Sequence, residues 1–340
     1  MWKTPSRFVE AVRAWAEGPQ RQLDAIQLQI QNLNSEVQDG AELPVQFAAM
    51  TVQQESTKKS IGNLSETLDK LSETQNTLVK QLDSMIAAAV RQERHQQMQI
   101  CMQWIAQIPV SAGPLISVIL PTRDRREILP RALESLNQQA YGSWEALIVD
   151  DGSRDETSRY LKSLNDNRFR IFGCDGRGAC AARNIALRHA RGEIIAYLDD
   201  DNMMHPNWLK SVVWAFQQRP EIDVLYGGFI IDDMLRMDSK GRGELPTLFL
   251  QSYDYHAVTH ANVADISCIA HRAKLSEAHF DESLREMGDW DLFLRLTRDK
   301  PPLALPALAC FYTTDAPNRL TLGPTHQADT IKVKENNRRT

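Results

Sequence analysis

The chain has no long hydrophobic run, no cysteine framework and no surplus of basic residues, and each absence removes a class of function. A membrane-spanning helix needs about 20 consecutive apolar residues. The best candidate, Ile100–Leu120, is broken by Gln103, Gln107, Pro109, Ser111 and Pro114. Met1–Gln20 has no apolar stretch of the kind a secretory signal requires. The five cysteines, Cys101, Cys174, Cys180, Cys268 and Cys310, are odd in number and form no C-x-x-C pair. They read as reduced thiols, with neither a disulfide framework nor zinc-finger spacing. A net charge of −5 speaks against a nucleic-acid binder, which normally presents a basic face. The local clusters Arg123-Asp124-Arg125-Arg126 and Asn336-Asn337-Arg338-Arg339 read as a solvated face and a frayed tail. The expectation is a soluble cytosolic protein without a transmembrane segment, compatible with peripheral attachment at the inner face of the membrane.

Several catalytic signatures are missing as well. The chain contains no G-x-x-x-x-G-K-[ST] loop and no G-x-S-x-G elbow. His256 and His260 are four apart but lack the glutamate of H-E-x-x-H. Gly173-Cys-Asp-Gly176-Arg-Gly178 is glycine-rich, yet it lacks the order of a dinucleotide fingerprint and follows a third strand rather than a first.

What is present changes character near residue 110. The 340 residues suffice for two domains, and 42% are hydrophobic, ordinary for a globular protein. Residues 1–110 read as a helical, coiled-coil region. Ile61, Leu64, Leu68, Leu71, Gln75, Leu78, Leu82, Met85 and Ala89 follow a 3-4 spacing, the seam of a heptad repeat. A shorter seam runs through Leu23, Ile26, Ile30, Leu33 and Val37. One narrow stripe cannot be buried by a lone helix, so a partner is expected: a second copy, a partner protein, or a helix of the same chain. Pro109, Gly113 and Pro114 mark the linker. Residues 111–325 alternate short β-branched runs with amphipathic stretches. Strands are expected at Leu115–Leu120, Ala146–Val149, Arg168–Phe172, Ile194–Leu198 and Val224–Ile231. Helices are expected at Glu127–Gln139, Asp155–Leu164, Ala179–Ala190 and Pro206–Gln218. Such β-α units build a mostly parallel sheet covered on both faces. Residues 326–340 read as a polar C-terminal tail.

Ligands in these sheets bind beyond the carboxyl ends of the strands. Pro121-Thr122-Arg123 follows the first strand, Asp150-Asp151-Gly152-Ser153 the second and Asp199-Asp200-Asp201-Asn202 the fourth. Three adjacent carboxylates repel one another unless a cation sits among them, and their oxygens suit Mg²⁺ or Mn²⁺. Either motif alone could equally be a helix cap or turn. Together, at the ends of two parallel strands, they point to a ligand.

The ordered set Ile116–Arg123, Ile148–Asp155, Ala182-Arg183-Asn184 and Ala196–Asn202, followed by Phe280-Asp281-Glu282 and Gly288-Asp289-Trp290-Asp291, resembles the family 2 glycosyltransferases of GT-A fold over about 200 residues. The resemblance implies a GT-A catalytic domain, Rossmann-like, that moves a sugar with inversion from a nucleotide-diphosphate donor, UDP-sugar favoured, to a hydroxyl of a saccharide or glycoconjugate. Bacterial surface polysaccharide synthesis is the family-level setting. It implies that Pro121, Thr122, Arg123 and Asp151 line the nucleotide pocket and that Arg183 approaches the base or diphosphate. It also implies that Asp199 and Asp200 reach the ribose and metal shell, that Asp201, with Asp199, holds Mn²⁺ or Mg²⁺, and that Asp289 is the catalytic base. The chain departs from the family pattern at Gly288, where a glutamate is expected; Glu286 lies close enough in sequence to substitute. Trp290 suits either an acceptor sugar or the core, and Trp208 and Trp214 read as helix packing. The competing readings are a nucleotidyltransferase, for which Thr122–Ile128 lacks the glycine- and lysine-rich loop, and a coiled-coil scaffold with a non-catalytic nucleotide-sugar-binding domain.

Overall fold

The computed structural model describes residues 27–28, 43–110, 113–231, 248–316 and 325–337. The Leu23–Val37 seam, the stretch 232–247 and Arg338–Thr340 lie wholly or almost wholly outside these residues. Contacts divide the chain into two units that meet between Arg91 and Gln92.

The first element is one helix, α1, Leu43–Gln107, of 65 residues, about 100 Å at 1.5 Å per residue. Pro44 stands in its first turn, where a missing N–H costs nothing. Leu64, Leu71, Leu78, Leu82 and Met85 are all exposed among the described residues. No helix among the described residues is long and apolar enough to cross a membrane.

The second unit carries a sheet of nine strands. β1 (Ile116–Thr122), β2 (Trp144–Asp150), β3 (Phe169–Gly173) and β4 (Ile194–Tyr197) pair in parallel in the order β3-β2-β1-β4. α2 (Leu129–Asn137), α3 (Thr157–Ser163) and α4 (Ala179–His189) are the connections between them. α5 (Trp208–Gln218) leads to β6 (Val224–Ile231), and a short strand β5 (Met203–Met204) precedes it. These elements fall where the alternation of residues places them, to within about two residues at most ends. Beyond β4 the sheet turns mixed. β8 (Ile269–Arg272) is antiparallel to β4 and to β6, β7 (Leu248–Phe249) is antiparallel to β6, and β9 (Leu303–Tyr312) is parallel to β6 and antiparallel to β5. Two further helices complete the unit, α6 (Tyr255–Val258) and α7 (Gly288–Thr297), and α8 (His326–Asn336) closes it.

Strand side chains alternate between faces, and two cores result. Val118, Leu120, Ala146 and Ile148 face α2 and α5 on one side. Ile119, Leu147 and Val149 face α4 and α7 on the other. The segment expected to be a polar tail instead folds: His326–Asn336 is helical, and Val333 is fully buried in the second core. Asp329 on this helix accepts hydrogen bonds from the backbone N–H groups of Arg285 and Glu286, both at 2.7 Å. A single buried valine in eleven mostly polar residues gives no periodic signal, which is why the sequence concealed it.

Candidate active site

A cavity of about 830 Å³ opens beyond the carboxyl ends of β1, β2 and β4. All nine residues singled out from the sequence line it: Pro121 and Thr122 at the end of β1 and Arg123 after it, Asp151 after β2, Arg183 on α4, Asp199–Asp201 after β4, and Asp289. They come from segments up to 168 residues apart and meet because parallel strands deliver their C-terminal loops to one edge.

The acidic triplet is not left to repel itself. Arg183 Nη2 donates to Asp199 Oδ1 at 2.6 Å. Burial opposes the Arg183 charge, but Asp199 raises its pKa above the usual arginine value. Arg125 Nε lies 3.4 Å from Asp200, and its Nη2 lies 3.9 Å from Asp201. This corrects the reading of the Arg123–Arg126 cluster as a solvated face: the Arg125 side chain is only 9% exposed and belongs to the site. Burial nevertheless pushes the Asp200 carboxyl up to about 7, with Asp201 and Asp199 adding to the rise and Arg125 opposing it. Asn202 does not cap α5. It donates to Ser267 Oγ at 3.1 Å and accepts from the Thr313 backbone at 3.0 Å, which ties the acidic turn to β9.

Asp150 behaves as the local reading allows: its carboxylate accepts from the Ser153 backbone and the Ser158 hydroxyl. Asp151 does something the sequence did not reveal. Its carboxylate accepts from the backbone N–H groups of Arg177 at 2.7 Å and Gly178 at 2.8 Å and from the Cys174 thiol at 2.8 Å. It thereby shapes the 174–178 loop, whose Gly176 and Gly178 adopt φ of +69° and +98°, a region costly for side chains with a Cβ. The loop also reaches the other half of the site. Arg177 pairs with Glu282 at 2.6 Å, and Asn184 on α4 both donates to the Phe280 carbonyl and accepts from the Phe280 N–H.

Asp289 is the second residue of α7, where the helix dipole favours a negative charge. Its Oδ2 accepts from Asn262 Nδ2 at 2.9 Å and its Oδ1 from the Trp290 backbone at 2.8 Å. Burial raises its pKa, while Arg183 and these hydrogen bonds restrain the rise. Trp290 itself is core: it is 2% exposed, and its indole donates to the Val258 carbonyl. Gly288 has a packing cause. A Cβ there would sit 2.4 Å from Cys180 Sγ, so α4 occupies the space a glutamate would need. Glu286 is engaged elsewhere, accepting from the backbone and hydroxyl of Thr325 at the start of α8.

A further carboxylate, Asp265, completes the floor of the cavity. Burial pushes it up to about 8, and the nearby charges of Asp199 and Asp289 add to the rise. Neither Asp265 nor Asn262 belongs to a recognisable motif; only the tertiary fold brings them here. Seven aspartates, Asp124, Asp151, Asp199, Asp200, Asp201, Asp265 and Asp289, thus line the cavity with the two buried guanidiniums of Arg125 and Arg183. The surplus of hard oxygen donors, with Asp200, Asp265 and Asp289 held above the usual carboxylate range, fits a divalent cation.

The fold and this edge-on pocket define a GT-A-type α/β domain. Residues 117–270 match Glycosyl transferase family 2. The chain is 32% identical over 188 residues to WcaA of Escherichia coli K12, a candidate colanic acid biosynthesis glycosyl transferase; the match covers 54% of this chain and 66% of that protein. It is 31% identical over 118 residues to WfgD of Escherichia coli, a UDP-Glc:alpha-D-GlcNAc-diphosphoundecaprenol beta-1,3-glucosyltransferase, covering 34% of this chain and 46% of that one. The match to each thus spans less than two thirds of that relative's length. Among solved structures, that of S. aureus TarS 1-349 in complex with UDP-GlcNAc superposes with a TM-score of 0.52 at 19% identity, covering 64% of each chain, a likeness of fold. Residues 117–270 thus form a glycosyl transferase family 2 domain within this chain.

Proposed function

We propose that the protein is an inverting glycosyltransferase that moves a sugar from a nucleotide-diphosphate donor, a UDP-sugar by preference, to a hydroxyl of a saccharide or glycoconjugate acceptor. The observation that carries this reading is the convergence of the Asp199–Asp201 turn, Arg183 and Asp289 on one cavity of about 830 Å³, large enough for a nucleotide sugar. Pro121, Thr122 and Arg123 line the nucleotide end, with Asp151 holding the 174–178 loop beside it. Asp201 and Asp199 hold Mn²⁺ or Mg²⁺, and Asp200 supports them. When bound, that ion supplies Lewis-acid stabilisation of the departing diphosphate. Arg183 adds a charge-assisted hydrogen bond on the same side. Asp289 accepts the proton of the attacking acceptor hydroxyl. Its raised pKa suits a base that must bind a proton transiently, and Asn262 and the Trp290 N–H fix the carboxylate plane. A single base suits direct displacement, and so inversion at the anomeric carbon.

The names of the relatives support assembly of a bacterial surface polysaccharide as the setting. The exposed stripe of α1 supports pairing with a second copy through a coiled coil, and residues 1–110 then serve as an assembly region preceding a catalytic domain that starts near residue 111 and includes α8. Transfer and donor hydrolysis assayed with Mn²⁺ across a panel of nucleotide sugars test the proposal, with Asp201→Ala as control. Sugar release that requires Asp201 is expected. Donor binding without turnover in any condition favours the scaffold reading instead, and pyrophosphate release favours a nucleotidyltransferase.

A further inference from the structure

Behind the floor of the cavity lies a cluster that the transfer reaction does not use. Cys268 and Cys310 are both fully buried, and their sulfurs are 3.7 Å apart. Cys268 ends the 3₁₀ turn Ile266–Cys268, and Cys310 lies on β9, separated from β8 by β6. Asp265, the residue before that turn, brings a carboxylate oxygen so that all three potential ligand atoms lie within 4.8 Å of one another. Asp265 lines the cavity while the two thiols are sealed beneath it.

We propose that Asp265, Cys268 and Cys310 form a binding site for a thiophilic divalent cation of the zinc class, separate from the hard-cation site at Asp199–Asp201. The sulfur spacing is the geometric argument. A cation at about 2.3 Å from each sulfur, the usual zinc–thiolate length, subtends an angle of about 107° across the observed 3.7 Å gap, close to tetrahedral. The two sulfurs are pre-set, and a small shift of the Asp265 carboxylate brings its oxygen to bonding distance. Cys310 is held in the β5–β9 ladder opposite Met204, and the Asp265 carboxylate is oriented by the Ser267 N–H at 2.9 Å. Asp265 also provides the entry path, since it alone of the three faces the cavity.

Softness separates the two sites: thiolates select zinc-like ions, whereas carboxylates alone suit Mg²⁺ and Mn²⁺. Burial raises both thiol pKa values and that of Asp265, so the apo cluster is protonated, and cation uptake releases the two thiol protons and the Asp265 proton to solvent as two metal–sulfur bonds and one metal–oxygen bond form. A bound cation would join the turn before β8 to β9 beneath the donor pocket.

The test is a Co²⁺ titration of the full-length reduced protein. The expected result is a saturable thiolate-to-cobalt charge-transfer band of one equivalent with tetrahedral visible bands, displaced by Zn²⁺ and accompanied by proton release. Cys268→Ala and Cys310→Ala each lose the band, whereas Asp201→Ala keeps it. If a variant fails to fold, alkylation of the wild-type thiols under denaturant pulses gives the same answer, because Zn²⁺ must slow labelling of Cys268 and Cys310. No charge-transfer band, a band that survives in the cysteine variants, or unchanged labelling overturns the inference. None of these results bears on sugar transfer, which the Mn²⁺ assays test separately.

Discussion

Replacing Gly288 by alanine tests the packing account of the missing acidic pair. The added Cβ would lie 2.4 Å from Cys180 Sγ and 3.4 Å from a Phe280 ring carbon, against the 3.5–4.0 Å at which such atoms attract. Both neighbours belong to the second core and are at most 3% exposed, so neither can swing into solvent. Overpacking of this kind costs about 1–3 kcal/mol, and Gly288, as the first residue of α7, is not at a mid-helix position where replacing glycine returns stability. The expected loss is about 1–3 kcal/mol, or roughly 2–12 °C in midpoint at 2–4 °C per kcal/mol. Cys180→Ala removes the offending sulfur, and in that background Gly288→Ala should be neutral. Urea denaturation followed by tryptophan fluorescence, with Trp290 two residues away, gives the four corners of the cycle. A coupling of about 1–3 kcal/mol between the positions is expected. If Gly288→Ala costs nothing beside the native Cys180, then α4 does not press on α7 as described, and steric exclusion of a glutamate is the wrong explanation for the departure from the family pattern.

Asp289→Asn should lower kcat by about 10²–10⁴-fold and leave donor affinity nearly intact; an equal loss of donor binding in calorimetry would make Asp289 a donor ligand rather than a base. Asn262→Ala removes a hydrogen bond that lowers the Asp289 pKa, so the acid limb of the kcat–pH profile should move to higher pH with little change in KM. An unmoved limb would leave Asn262 without a positioning role. Arg125→Met strands Asp200 and Asp201 beside each other. Breaking a buried ion pair costs about 3–5 kcal/mol, and because Asp200 can take up a proton near pH 7, a loss near the lower end is expected by urea denaturation at neutral pH. A further effect concerns acid stability. His271 is fully buried, hydrogen-bonded to the Tyr197 hydroxyl at 2.7 Å, and burial lowers its pKa to about 4. The folded state therefore binds fewer protons than the unfolded state between about pH 4 and 6.5. The contribution of neutral His271 is complete above about pH 6.5 and fades as pH falls, by up to about 1.4 kcal/mol per pH unit. Stability measured at several pH values should show a shallower acid slope in His271→Gln than in the native protein.

Much of the α/β unit was legible because its rules are local. Val, Ile and Leu runs bounded by turn residues announce β1 to β4 and β6, and a helix separates each consecutive pair from β1 to β4. The rule that such sheets bind ligands at their carboxyl edge then places Pro121–Arg123, Asp151 and Asp199–Asp201 together from the sequence alone. The later strands were harder. β8 follows a 3₁₀ turn, β9 carries Pro306, and β5 and β7 span two residues each, too short for any period to register.

Sequence alone, then, determined the order of the elements and the identity of the acidic edge, because hydrophobic period and turn chemistry act over a few residues. Tertiary structure decided which charges neutralise one another. Arg125 looked like a surface arginine until β4 brought Asp200 and Asp201 against it. Asp265 and Asn262 carry no motif and enter the cavity only through the long-range pairing of β8 with β4 and β6 and the docking of α7. Gly288 looked like a missing acid until α4 filled the space. Such assignments depend on side chains distant in the chain occupying one low-dielectric volume, and no local pattern encodes that volume.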